Sequence, residues 1–220
     1  AVLVDVDIIA AAPTRFLVAG MGDALSTWFE AQSCERTRSK NECGGYSTTV
    51  GLHIAKLCYE TLLKYGVTAK LANERHLVTP ALERVVEANI LLSGLGFESA
   101  GLAAAHAIHN GLTALTETHS FYHGEKVAFG VLAGLQLTDA SPDESEAVFS
   151  FCEAVGLPTT LADLGIDIAS PEKLMTVAKM ACAPGQSISH EAGTTSPEEV
   201  FSAMLAADAI GQARRREPRN

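Results

Sequence analysis

Along most of this 220-residue chain the apolar positions recur every three or four residues, the spacing that gathers side chains onto one face of an α-helix. Only Val2-Leu3-Val4-Asp5 reads as a strand, and no second strand stands nearby to pair with it. Its partners are expected in sequence outside this chain, which begins without Met and is read as part of a longer polypeptide. The pattern then predicts a helix near 12–19 with Pro13 at its first position, and a second over about 22–36. A third should run from about 47 to 65, where Val50, Ile54, Leu57 and Leu62 share a face and Gly66 supplies the stop.

Thr79-Pro80 opens the next helix, whose apolar face through Leu82, Val85, Val86, Ala88 and Leu92 continues toward Gly94 and Gly96. Helices near 100–115 and 124–138 follow. Ser141 and Ser196 each precede a Glu by three residues, Glu144 and Glu199, the reciprocal arrangement that satisfies free amides at a helix start. Ser170-Pro171 marks another start without the Glu, and the stretches 156–158 and 183–196 read as loops. The predicted fold class is all-α, a single multi-helix domain over residues 1–220 with one short N-terminal strand.

Apolar residues make up 47% and charged residues 19%, so a packed interior rather than disorder is expected. The net charge of −10 argues against a nucleic-acid surface, which needs clustered cations to displace counterions. The one basic cluster, Arg214, Arg215, Arg216 and Arg219, follows the predicted last helix and is assigned no function. Cys34, Cys43, Cys58, Cys152 and Cys182 are odd in number and form no C-x-x-C pair, which favours reduced thiols. With no uninterrupted apolar run of about 18 residues, a cytoplasmic protein without membrane contact is expected.

Four of the seven histidines, His106, His109, His119 and His123, fall within 18 residues. His106 and His109 project from one side of a helix, where two imidazoles either reach a common centre or hydrogen-bond separately inside a core. The Ala- and Gly-rich surroundings of His106 leave room for another element to approach. Gly20-Met21-Gly22-Asp23-Ala24 reads as a helix entry with Asp23 in its first turn, an ordinary cap or a ligand.

Three segments resemble the glycerol dehydrogenase family, part of the larger iron-containing alcohol dehydrogenase group. They are Gly20-Met-Gly-Asp-Ala24, Gly96-Phe-Glu-Ser-Ala-Gly-Leu-Ala-Ala-Ala-His106 and His123-Gly-Glu-Lys-Val-Ala-Phe-Gly130. The resemblance spans nearly the whole chain. It implies the helical C-terminal domain of the dehydroquinate synthase-like/iron-containing alcohol dehydrogenase fold. It also implies that Asp23, His106 and His123 bind one zinc ion and form the catalytic and substrate-binding set. Iron-dependent members are expected to carry a further His one turn after the Asp; Thr27 stands there and favours zinc.

The implied reaction is oxidation of glycerol, or a similar vicinal diol, to the ketone with NAD as hydride acceptor, zinc binding the hydroxyls and lowering their pKa. No Gly-rich phosphate loop occurs in residues 1–220, so the NAD site is expected in an N-terminal domain absent from this chain. No cofactor-binding residue is assigned here, and the chain alone is expected to be inactive. His109 is a substrate-side candidate, with His119 and Glu125 behind it. A homo-oligomer is implied by resemblance. Two other readings stay open: a glycerol-phosphate dehydrogenase or dehydroquinate synthase-like enzyme, for which only Lys126 offers a cation near the ligands, and a non-catalytic helical assembly domain.

Overall fold

Asp5 accepts hydrogen bonds from the amides of Asp7 and Ile8 and so caps a short helix, α1 (Val6–Ala11), where a strand was expected to end. The computed structural model describes residues 1–167 and 170–216, and among these there is no strand. The expected strand at 2–5 is therefore overturned: with nothing to pair against, the chain satisfies its amides through a local cap. Among the described residues the sole β-like feature is an isolated bridge between Lys40 and Tyr46.

Pro13 occupies the cap position of α2 (Thr14–Thr37), one residue before its expected place. This helix is continuous where two were predicted, because Gly20 and Gly22 are contact points rather than breaks. A similar reversal occurs in α3 (Thr49–Asn73), which passes through Gly66. A Cβ at Gly66 would stand 2.7 Å from the Phe151 ring, so this glycine admits an aromatic side chain instead of ending the helix.

Thr79 caps α4 (Pro80–Glu87) by accepting from the Leu82 amide, as predicted. The helix then widens into a π-turn over Ala88–Leu92, with the Ser93 amide reaching back to the Ala88 carbonyl, before continuing as α5 (Ser93–Ala100). Next come α6 (Ala104–Leu112), α7 (His123–Leu137), α8 (Pro142–Val155), α9 (Pro171–Ala181) and α10 (Pro197–Arg216). Ser196 and Glu199 form the full reciprocal cap, whereas Ser141 receives only the Glu144 amide.

Helix α2 lies between α3 and α7, and α7 packs on α6 and α10. Their shared core buries Met21, Leu25, Leu62, Ile108, Phe129, Leu132 and Phe149 almost completely. Each such side chain contributes about 1.5–3 kcal/mol of burial, which holds α2, α6 and α7 against one another. At the far end Arg214 pairs with Glu153 and Glu146, and Arg215 with Asp163, tying α10 to its neighbours. Arg219 lies outside the described residues. All five cysteines are free, and no single described helix is long and apolar enough to cross a membrane.

Candidate metal centre

Helices α2 and α7 touch backbone to backbone. A Cβ on Gly22 would run into the Gly124 carbonyl, and one on Gly124 into the Ala19 carbonyl, so neither position accepts a side chain. Asp23 and His123 are the residues adjoining these two glycines. The absence of side chains at the crossing brings their functional groups together, and His123 Nε2 lies 3.1 Å from Asp23 Oδ1. Asp23 is therefore nine residues into α2, not in its first turn, and no helix-terminus dipole acts on it.

The third member arrives on α6, held against α7 by a second contact: a Cβ on Gly130 would meet the Ala105 carbonyl. His106 Nε2 then lies 3.5 Å from the same Asp23 oxygen. The start of α6 carries no side-chain cap of its own. Its amides instead turn to two buried carboxylates distant in sequence: Ala103 and His106 donate to Glu30 Oε1, and Ala104 donates to Glu191 Oε1. Glu30 Oε2 also accepts from His106 Nδ1 at 2.6 Å. Neither glutamate stands out in the sequence, because their partners lie 73 to 158 residues away. The one legible signal is that Glu30 follows Asp23 by seven residues, two turns along the same helical face.

Asp23, His106 and His123 each offer one donor atom, and all three lie within 4.8 Å of one another. Two nitrogens and an oxygen bonded to zinc at about 2.0–2.2 Å in a tetrahedral arrangement stand about 3.3–3.6 Å apart, close to the two separations from Asp23. The donor set thus fits a borderline divalent cation with open positions, and no cysteine contributes. Half-exposed Asp23 and His123 leave the cluster open to solvent on one side.

Electrostatics agree with this donor set. Burial pushes the Asp23 carboxyl up, but its hydrogen bonds to both histidines outweigh that and hold it well below the usual carboxylate range. Burial likewise pulls His106 down, yet the Glu30 and Asp23 carboxylates prevail and raise it to about 10. The His106 imidazole thus stands between two carboxylates, one at each ring nitrogen, which favour its protonated form.

The remaining candidates separate clearly. His109 is buried with its ring centroid 4.1 Å from that of His123, and burial followed by the His123 charge lowers it to about 4. Its Nδ1 contacts Asn110 Oδ1 at 3.1 Å. His119 hydrogen-bonds the Thr113 carbonyl away from the cluster. Glu125 accepts two bonds from Arg15 and one from the Tyr122 amide, so it clamps the start of α7. Lys126 is buried toward the Thr118 carbonyl, and Thr27 hydroxyl pairs with Ser93.

No family model matches the chain. A glycerol dehydrogenase of Thermotoga maritima is 58% identical over 214 residues, covering 97% of this chain and 59% of the relative. One from Pseudomonas putida is 56% identical, with 96% and 58% covered. The chain is related to the glycerol dehydrogenases over nearly its whole length. It spans somewhat over half the length of these relatives. The structure of a probable glycerol dehydrogenase from Sinorhizobium meliloti superposes with a TM-score of 0.93 at 51% identity, covering 95% of this chain and 59% of that one. An iron-containing alcohol dehydrogenase from Thermococcus thioreducens, 17% identical with a TM-score of 0.70, shares the helical fold.

Proposed function

We propose that this chain forms the metal- and substrate-binding part of an NAD-dependent glycerol dehydrogenase, converting glycerol and NAD to dihydroxyacetone and NADH. The observation that carries this reading is the meeting of Asp23, His106 and His123 from three helices around one point, at separations suited to zinc. When bound there, zinc supplies Lewis-acid chemistry that brings the pKa of a substrate hydroxyl toward neutral pH.

The chain's own residues do the rest. Asp23 would contribute negative charge that offsets part of the cation's, and the two histidines would hold the ion as neutral imidazoles beside a site for a vicinal diol. His109, neutral near pH 7, keeps its proton on Nδ1 toward Asn110 Oδ1 and leaves Nε2 able to accept from a substrate hydroxyl. Helices α2, α6 and α7 fix these groups against one core, so little reorganisation accompanies binding. The hydride acceptor's site belongs, on this reading, to the part of the relatives that this chain does not span.

The test compares a full-length protein containing this sequence with the 220-residue chain. His106→Ala in the former should abolish NAD-dependent glycerol oxidation, and the latter should bind zinc without turnover. Full activity in the His106→Ala protein, or NADH formation by the 220-residue chain, contradicts the reading.

A further inference from the structure

Glu30 is almost fully buried, and its two carboxylate oxygens do different work. Oε1 accepts the Ala103 and His106 amides at 2.8 and 2.9 Å and thereby caps α6 from α2. Oε2 meets His106 Nδ1 at 2.6 Å. An ionised carboxylate has no hydrogen to donate, so this contact forces the proton onto Nδ1. When a cation displaces the other ring proton, the lone pair left for it is the one on Nε2, on the Asp23 side. Resting on the metal reading above, we infer that Glu30 is a positioning residue that selects the metal-binding tautomer of His106, separately from its capping of α6.

The same helix that supplies Asp23 therefore also prepares His106. Asp23 and Glu30 lie two turns apart on one face of α2 and grip opposite nitrogens of a single imidazole. Charge-assisted bonds of this kind raise ligand basicity as well as fixing ring orientation. Glu191 offers an internal contrast. It caps the Ala104 amide and takes the Ser33 hydroxyl but accepts no hydrogen bond from the His106 ring, so its contribution is to the fold of the segment.

Glutamine at position 30 separates the two roles. Its carbonyl oxygen can keep both amide bonds to α6, but its amide nitrogen replaces Oε2 and donates where a carboxylate accepted. His106 Nδ1 would then become the acceptor and carry its proton on Nε2, blocking ligation. Zinc titrations of the 220-residue chain, with chelator competition, should show Glu30→Gln binding about 10–100-fold more weakly while its helical content is retained. Glu191→Gln should bind zinc within a few-fold of the unsubstituted chain. Equal zinc affinity in Glu30→Gln, alongside loss in His106→Ala, overturns the tautomer role. Unchanged affinity in His106→Ala would overturn the metal reading itself.

Long-range proton–nitrogen spectra of the zinc-loaded, unsubstituted chain give a second readout independent of the variant's folding. The inference requires a proton on His106 Nδ1 and metal on Nε2, and the reverse assignment overturns it.

Discussion

Gly124 of α7 faces the Ala19 carbonyl of α2 so closely that no side-chain carbon fits between them. Because His123 adjoins this contact and Asp23 lies across it, the crossing sets the distance between two of the three candidate ligands. Gly124→Ala is expected to cost about 3 kcal/mol, the upper end for overpacking, since backbone rather than a flexible side chain must yield. Zinc affinity should fall with it as Asp23 and His123 separate. Urea denaturation and zinc titration of the variant check both, and an unchanged midpoint contradicts the contact.

His109 and His123, whose rings meet edge to face, should behave differently. His123→Ala removes a proposed ligand and should weaken zinc binding more than about 100-fold, beyond the range typical of groups that only support a ligand. His109→Ala should leave zinc binding within about tenfold, since His109 lies beside the donor set rather than in it. Parallel titrations compare the two, and equal losses would place His109 among the ligands.

The pH dependence of the zinc-free chain has two signs. His106 is raised to about 10 from an ordinary 6.5, so its contribution to stability is complete below pH 6.5 and is lost as pH rises toward 10. His109 is lowered to about 4, so its neutral form favours folding above pH 6.5, and that contribution is lost as pH falls toward 4. Denaturation midpoints against pH in His106→Ala and His109→Ala should lose the alkaline and the acid slope respectively. Zinc must also displace the His106 proton at neutral pH, and calorimetry in buffers of different ionisation enthalpy should detect that release.

Glu125, bonded to Arg15 and to the Tyr122 amide, is expected to serve the scaffold. Glu125→Ala breaks its bonds to half-exposed Arg15 and to the Tyr122 amide and should cost about 1–2 kcal/mol, while one zinc per chain is still bound. A lost zinc site with unaltered stability would reverse that assignment.

Caps and clusters were legible because they are local. Thr79, Ser141 and Ser196 start helices for reasons contained within three residues, and the His106–His123 cluster is visible as composition. Glycine was misread because sequence reports a missing side chain but not what fills the space. Gly22 reads as a helix start and Gly66 as a helix stop, yet one admits α7 and the other the Phe151 ring. That error split α2 and put Asp23 in a first turn it does not occupy. Glu30 stayed hidden because a mid-helix glutamate is ordinary until α6 folds back and brings its uncapped amides to it.

The most direct test of the metal assignment is X-ray absorption on the zinc-loaded 220-residue chain. The site predicts an inner shell of nitrogen and oxygen at about 2.0–2.2 Å with the outer-shell signature of two imidazoles. A sulfur shell at about 2.3 Å, or a spectrum unchanged in Asp23→Ala, His106→Ala and His123→Ala, would contradict it.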